Sequence, residues 1–208
     1  MNGDRTLWDP QAIYARSFAQ VAEATDLSGV PQELQAVALR LVHACGEPGI
    51  LDGLQASPGA ADAGRQALSD GATLLVDSRM VADGITRSRL AQDNRVLCTL
   101  TLGQVAGNAK RLGITRSAAA VQHWQPWLAG AVVVIGNAPT ALFALLAGMA
   151  EGWPRPALVI GMPVGFVGAA ESKTALAQSD LAFITLAGIR GGSALAAAAL
   201  NALASDKP

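Results

Sequence analysis

Short apolar runs recur along the chain from residue 73 onward, and each is followed by a segment long enough to form a helix. The runs are rich in Val, Ile and Leu and do not alternate with polar residues, which is typical of parallel strands that are buried on both faces. They predict five strands, at 73–77, 95–100, 131–135, 157–160 and 182–186. Strands that alternate with helices predict a layered α/β/α domain with right-handed crossovers.

Helices are predicted in most of the remaining chain. Those that follow the strands lie at 102–112, 116–128, 139–151, 169–178 and 193–204. Three more precede the first strand, at 10–24, from Pro31 to a stop at Gly46, and from Ser57 to about Gly71. Asp9 followed by Pro10 predicts the start of the first of these, and Ile13, Phe18 and Val21 give it an apolar face.

The composition indicates one folded domain. The chain has 208 residues, of which 51% are hydrophobic and 15% are charged, and this excludes a disordered chain. We expect a single domain over 1–208, with an N-terminal helical segment at about 9–71 and an α/β core at about 72–205. Residues 117–150 include no Asp, Glu, Lys or Arg, but GNAP at 136–139 interrupts them, so a strand, a turn and a helix are predicted instead of a membrane span.

Charge and cysteine content restrict the partners and the location. The formal net charge is −1 and no run of like charges occurs, so neither a nucleic acid nor a membrane surface is an expected partner. Cys45 and Cys98 form no CxxC pair, and the first ten residues lack a basic-then-apolar leader, which together predict a reducing, cytoplasmic location. The low charge content also indicates apolar surface that a second copy covers, so a homodimer is expected.

Arginine and glycine residues collect where the predicted strands end. Arg79 follows the first strand, Arg190, Gly191 and Gly192 follow the fifth, and Arg116 begins a predicted helix. In open α/β sheets, ligands bind beyond the carboxyl ends of the strands, and arginine binds carboxylates through two parallel hydrogen bonds. The pattern therefore indicates a ligand that carries several carboxylates. Glycine is also common in ordinary strand-to-helix turns, and that alternative stays open for each loop.

Other kinds of site find no support in the sequence. No phosphate-binding GxxxxGK[ST] motif occurs, and the glycines at 161, 165 and 168 have the wrong spacing for a dinucleotide fingerprint. His43 and Cys45 are two positions apart and point to different sides of a helix. No Ser/His/Asp or Cys/His triad can be assembled from the spacing. We therefore expect no metal site and no cofactor.

His43 is the one candidate acid–base residue. It lies three residues after Arg40 on the second predicted helix, so the two share a face. It is also close to the C-terminus of that helix, where the helix dipole favours imidazolium. A histidine at a helix end is often purely structural, and this alternative stays open. Ser17, midway along the first helix, has no distinguishing pattern of its own.

Six strings of residues resemble those of one enzyme family. They are HACG at 43–46, DSRMVADGIT at 77–86, TRSAAA at 115–120, GNAPTALF at 136–143, PVGFVGAAESK at 163–173 and GIRGGSALAAAALNAL at 188–203. Together they are similar to precorrin-8X methylmutase, also called precorrin isomerase, of cobalamin biosynthesis. The resemblance extends from residue 9 to residue 204, and it implies a flavodoxin-like fold with a five-stranded parallel sheet.

The resemblance implies an isomerase that needs no cofactor. Its substrate is a tetrapyrrole, precorrin-8X, in which a methyl group moves from an alpha carbon of ring C to the adjacent beta carbon by a 1,5-sigmatropic shift, giving hydrogenobyrinate. The family's acid–base histidine corresponds to His43, and its pocket residues correspond to Ser17, Arg40, Thr86 and Arg116. Family members are homodimers whose active sites lie at the subunit interface.

Alternatives to this interpretation concern both the activity and the substrate. A corrinoid carrier that retains the product and passes it on would bind stoichiometrically without turnover. A hydrolase or an oxidoreductase on the same fold is disfavoured by the missing triad and the missing nucleotide loop. The sequence does not distinguish a metal-free substrate from one that contains cobalt, and we favour the metal-free one. After HACG the chain reads Glu47-Pro48-Gly49, which departs from the family pattern behind the histidine.

Overall fold

The computed structural model describes residues 8–204, which form six strands and nine α-helices. The strands are β1 (Leu54–Ala56), β2 (Leu74–Val76), β3 (Val96–Cys98), β4 (Val132–Ile135), β5 (Leu158–Gly161) and β6 (Phe183–Leu186). The helices are α1 (Pro10–Ala24), α2 (Gln35–Cys45), α3 (Ala60–Ser69), α4 (Arg79–Gly84), α5 (Gly103–Leu112), α6 (Arg116–Val121), α7 (Pro139–Ala150), α8 (Ala169–Ala177) and α9 (Ser193–Leu203). Short 3-10 turns lie at Gln32–Leu34, Pro48–Gly53, Arg87–Arg89 and Gln125–Trp127.

The strands form one mixed sheet in the order β1-β6-β5-β4-β2-β3. Strands β2 to β6 are parallel, and by themselves they have the strand order of the flavodoxin fold. The predicted α/β class and its five parallel strands are thus confirmed. The prediction of a five-stranded sheet is wrong by one strand, because β1 pairs antiparallel with β6 at the edge.

Strand β1 gave no signal in the sequence. Its three residues, Leu54-Gln55-Ala56, are neither β-branched nor aromatic. It forms because the preceding 3-10 turn brings the chain alongside β6, where the Gly53 carbonyl accepts a hydrogen bond from the Ala187 N–H at 2.6 Å. A strand that depends on its neighbour in this way leaves no periodicity to detect.

Three helical segments differ from their predictions. The helix predicted at 116–128 is wrong in its second half: α6 ends at Val121, because Pro126 does not fit a continuing helix and a 3-10 turn forms around it. Helix α4 was not predicted, because its six residues are too few to display an apolar period. Helices α2 and α3 begin three to four residues later than predicted, after a 3-10 turn and after Gly59 respectively.

Helices cover both faces of the sheet. Helices α6, α7 and α8 pack against one face, and α5 packs against α6. Helices α3, α4 and α9 pack against the other face, and α2 lies against α9. Helix α9 is therefore enclosed, and all of its residues except Ala194 are buried. Because α2 and α6 belong to opposite layers, His43 and Arg116 approach from opposite sides of the sheet.

No helix within residues 8–204 is long and apolar enough to cross a bilayer. The uncharged stretch at 117–150 includes most of α6, the buried strand β4 and most of α7, in agreement with the predicted strand, turn and helix. The two ends of the predicted domain, at 1–7 and 205–208, lie outside the described residues, and the first of them includes most of the segment inspected for a leader.

Asp77 ties the end of β2 to the turn that follows β4. The residue is 2% exposed, and its carboxylate accepts hydrogen bonds from the backbone N–H groups of Gly136, Asn137 and Ala138 at 3.0, 2.9 and 2.7 Å. Burial raises the pKa of Asp77, although these three donors act in the opposite direction. The carboxylate also lies at the N-terminus of α7, where the helix dipole favours an anion. Asp77 thereby fixes two neighbouring loops at the carboxyl edge of the sheet.

Replacing Asp77 with alanine should lower the free energy of unfolding by about 3 kcal/mol, because three backbone donors lose their acceptor inside the protein. Urea denaturation followed by circular dichroism measures this loss. The matched control is Asp93→Ala at an exposed position, which should change stability by less than about 0.5 kcal/mol. Equal effects of the two substitutions would contradict the structural role of Asp77.

Candidate active site

The last turn of α2 places His43 at the edge of the sheet where the parallel strands end. The helix stops there because Gly46 takes a left-handed φ of 72° and donates its N–H to the Val42 carbonyl at 2.7 Å. Just beyond, the Gly49 carbonyl accepts a hydrogen bond from Arg190, which follows β6. His43 is exposed at this edge, beside the loops where ligands bind to parallel sheets.

Helix α1 covers one side of the His43 imidazole. The hydroxyl of Ser17 lies 3.0 Å from Nδ1 of His43, within hydrogen-bond distance. The ring of Phe18 stacks on the imidazole, with centroids 4.5 Å apart and planes inclined by 18°. The ring of Tyr14 follows at 6.1 Å. These three residues share one face of α1 because they are spaced at i, i+3 and i+4.

Arg40 lies one turn before His43 and is buried under the same aromatic residues. Arg40 is only 8% exposed, and its guanidinium carbon lies 5.2 Å from the centroid of the Phe18 ring. One nitrogen of Arg40 donates to the phenol oxygen of Tyr14, which also accepts from Arg89 at 2.8 Å. The buried Nε of Arg40 has no hydrogen-bond partner within the described chain. A guanidinium with a spare donor suits an anionic group of a ligand.

The surroundings of His43 favour the neutral imidazole in the ligand-free chain. Burial lowers the pKa of His43, and the nearby charge of Arg40 lowers it further. The dipole of α2, which favours imidazolium, acts in the opposite direction. Desolvation and a full cation three residues away outweigh the partial charge at a helix end.

A buried residue of α9 positions Thr86. The N–H of Thr86 donates to Oδ1 of Asn201 at 2.8 Å, and Nδ2 of Asn201 donates to the Gly84 carbonyl at 2.9 Å. The 3-10 turn at Arg87–Arg89 then carries the last of its arginines to Tyr14. Thr86 is exposed and lies in the same helical layer as α2.

The loop after β6 has a packing reason for its glycines. Gly191 adopts a φ of 157°, and a Cβ at this position would collide with the Met162 carbonyl. Gly192 donates its N–H to the same carbonyl at 2.8 Å, so this donor is already occupied. The side chain of Arg190 is more than half exposed and lies 3.7 Å from the Glu47 carboxylate. Arg190 thus offers a group that can reach a ligand, whereas a binding role of the two glycines stays a prediction.

Arg79 and Arg116 are exposed at the same edge of the sheet. Arg79 begins α4 directly after β2. Arg116 begins α6, whose capping residue Thr115 lies 2.7 Å from the hydroxyl of Thr140 in the turn after β4. The structure therefore places both arginines beyond strand ends, as predicted, but Arg116 reaches the edge from the layer opposite His43.

Tyr14, Phe18 and Arg89 surround His43 and were not predicted as site residues. A signal existed for the first two, since their spacing from Ser17 puts all three on one helix face. The apolar face predicted for α1 is also rotated, because Ile13 is 44% exposed while Phe18 is 8% exposed. Arg89 gave no signal, because a turn of the chain and not its sequence spacing brings it to Tyr14.

The edge as a whole is rich in cations and offers no cluster of metal ligands. Within residues 8–204, no group of three or more His, Cys, Asp or Glu side chains could hold a metal ion. The arginines at 40, 79, 89, 116 and 190 instead provide planar donors for carboxylates. This arrangement suits a large ligand with several negative charges.

Comparisons with known proteins agree with this chemistry. The family model described as precorrin-8X methylmutase matches residues 12–206. A precorrin-8X methylmutase of Pseudomonas aeruginosa is 54% identical over 201 residues, which cover 96% of this chain and 97% of that protein. A cobalt-precorrin-8 methylmutase of Priestia megaterium is 35% identical, over 93% of this chain and 87% of that protein. The solved precorrin-8X methyl mutase of Thermus thermophilus superposes with a TM-score of 0.86 at 40% identity, over 93% of this chain and 94% of that one. The chain therefore belongs to the precorrin-8X methylmutase family, isomerases of cobalamin biosynthesis that move a methyl group within one molecule.

Proposed function

We propose that the chain moves a methyl group of precorrin-8X from the alpha carbon to the beta carbon of ring C, giving hydrogenobyrinate, while His43 exchanges a proton with the macrocycle. The observation that carries this proposal is the direct contact of His43 with Ser17 and its closeness to Arg40. Ser17 lies on a different helix from the other two, and all three match pocket residues of the family. The Arg-rich edge around them fits the carboxylates of the substrate.

The hydroxyl of Ser17 lets His43 change its protonation state without losing its partner. A hydroxyl can donate to a bare Nδ1 and accept from a protonated one, so the 3.0 Å contact serves imidazole and imidazolium alike. Stacking on Phe18 fixes the plane of the ring. We assign Nε2, the nitrogen not used by Ser17, to the ring nitrogen of the substrate.

Substrate binding supplies the charge that raises the proton affinity of His43. In the ligand-free chain the Arg40 cation helps to lower the pKa of His43. A substrate carboxylate that pairs with Arg40 offsets this cation, so the pKa of His43 rises in the complex. His43 then takes up a proton and donates it to a ring nitrogen of the macrocycle, the conjugated system transfers its methyl group, and the ring nitrogen returns the proton to His43, so that substrate and product remain isomers.

Positioning of the macrocycle provides the other part of the rate enhancement. A flexible ring with several acidic arms loses its unproductive conformations when arginines hold those arms. Because this entropy is lost on binding and not in the reaction, the barrier falls by as much as ~7–11 kcal/mol in favourable intramolecular reactions. Proton transfer from a well-placed group adds typically ~10²–10⁴-fold.

The natural substrate we propose is metal-free. The relative named for precorrin-8X is 54% identical to this chain, whereas the relative named for cobalt-precorrin-8 is 35% identical. A macrocycle without a central metal also leaves its ring nitrogens open to the proton of His43.

We propose a homodimer with the active site at the subunit interface, and the exposed groups at the carboxyl edge support this proposal. Phe166 and Val167 are 90% and 89% exposed, and Met80 is 72% exposed, which is a large apolar surface for a single chain. His43 and Arg116 also lie in opposite layers, and His43 is open to solvent. A second copy would cover the apolar surface and exclude water from the proton-transfer site.

Substitution of His43 by alanine should lower kcat by about 10²–10⁴-fold and leave the binding of hydrogenobyrinate within about threefold, because only the proton donor is removed. Absorbance spectra recorded after mixing the protein with precorrin-8X measure turnover, and titration with the product measures binding. The control is His123→Gln, a histidine on the opposite face of the sheet. Undiminished turnover of the His43 variant would refute the role of this residue, and wild-type binding without turnover would indicate a carrier.

The pKa of His43 in the ligand-free protein should lie below 6.5, and an Arg40→Met substitution should move it upward, because one of its two causes is removed. Because the shift is downward, the neutral ring persists at pH values at which a free histidine is already protonated. NMR titration of the imidazole measures both values. Lys110→Met, at an exposed position on α5, should leave the pKa of His43 unchanged. A pKa of 6.5 or above in the wild-type protein would contradict the neutral ground state.

Mixing two inactive variants should restore activity if each site combines His43 of one subunit with Arg116 of the other. His43→Ala and Arg116→Ala subunits that exchange at random give half mixed dimers, and each mixed dimer has one intact site, so activity recovers to about a quarter of wild type. Analytical ultracentrifugation confirms that dimers form. If the mixture stays inactive while its subunits exchange, both residues of a site belong to the same subunit.

A further inference from the structure

Three hydrogen bonds hold the loop after β6 against neighbouring segments. The Ile189 carbonyl accepts from the Gly165 N–H at 3.2 Å, and the Gly192 N–H donates to the Met162 carbonyl at 2.8 Å. Both of these bonds join backbone to backbone. Between them, the Arg190 carbonyl accepts from the ammonium of Lys173 on α8. Lys173 thus supplies the side-chain hold on the residue whose own side chain reaches toward the end of α2.

Lys173 is an unusual choice for a purely structural contact. It is 1% exposed, and no carboxylate within residues 8–204 forms an ion pair with it. Burial lowers its pKa from 10.5 to about 8, which reflects the unfavourable removal of the ammonium from water. An apolar residue of similar volume would avoid this loss. The position therefore keeps a group that costs stability, which indicates a purpose other than folding.

We propose that Lys173 is a positioning residue for the isomerase reaction, which holds the Arg190 backbone so that the Arg190 guanidinium is presented to a carboxylate of the substrate. This inference rests on the proposed substrate role of Arg190. Three hydrogen bonds hold the backbone of the loop, whereas the Arg190 side chain forms a hydrogen bond to the Gly49 carbonyl at 3.2 Å and a 3.7 Å contact with Glu47, in which both partners are more than half exposed. Such a pair exchanges readily, so a substrate carboxylate can replace Glu47.

The position of the loop leaves little room for an alternative conformation. A Cβ at Gly191 would collide with the Met162 and Pro163 carbonyls, so the chain passes directly over the loop that follows β5. The Arg190 side chain then reaches the Gly49 carbonyl at 3.2 Å, four residues beyond the end of α2. Without the Lys173 ammonium, the backbone between Ile189 and Gly192 can shift. The position of the Arg190 guanidinium is then no longer fixed.

The test is a Lys173→Met substitution, which keeps the length of the side chain and removes the donor. We expect KM for precorrin-8X to rise by roughly tenfold, the equivalent of one charge-assisted hydrogen bond, with kcat within about threefold of wild type. The melting temperature should stay equal or rise, because a desolvated ammonium has been removed. The matched control, Lys110→Met at an exposed position on α5, should change none of these values. Lys173→Leu, which also lacks a donor, is the second variant and should likewise raise KM while leaving kcat within about threefold of wild type.

Hydrogen exchange of the peptide that spans 187–195 reports the loop independently of catalysis. Exchange should accelerate in Lys173→Met and stay at the wild-type rate in Lys110→Met. A folded Lys173 variant with unchanged KM would overturn the proposal, as would a fall in kcat without a change in KM. If the wild-type protein binds the corrinoid without turning it over, the proposed function fails, whereas the exchange rate and the binding constant of the variants still decide the role of Lys173.

Discussion

Burial of a parallel sheet on both faces is the constraint from which the rest of the molecule follows. Strands β4, β5 and β6 are buried along their whole length, so helices must cover each side and every connection must cross over. All strand-to-helix loops then open at one edge. Arg79 and Arg190 both lie at this edge because each follows a parallel strand. Asp77 fixes the adjacent turn from inside the protein.

The acid–base residue reaches this edge by a different route. His43 is not on a strand-to-helix loop of the sheet but on α2, which lies against α9 as an additional layer. Its chemistry is set by α1 from the other side, since Ser17 and Phe18 contact the imidazole directly. The candidate site therefore combines an arginine-rich edge, which the parallel fold provides, with the contact between His43 and Ser17 that the N-terminal helices add.

The sequence predicted those features that depend on local pattern. Strands β2 to β6 were predicted because each is a continuous apolar run, and Arg40 and His43 were placed on one face by their spacing. Strand β1 and the contact of Arg89 with Tyr14 depend on tertiary neighbours, and no local pattern encodes them. The lowered pKa of His43 also depends on tertiary neighbours: the sequence leaves the protonation state of this ring open, and Ser17 and Phe18 of α1 cover one of its sides.

The enclosed, alanine-rich helix α9 acts as a spacer of fixed thickness. Six of its eleven residues are alanine, and a side chain as small as a methyl group at Gly136 would already meet Ala196 at 2.9 Å. Added carbon atoms along α9 would push α2 outward by their own width, and the imidazole would move with it. The small side chains of α9 therefore set the distance between the sheet and the His43 imidazole, although they lie inside the protein and not at the candidate site.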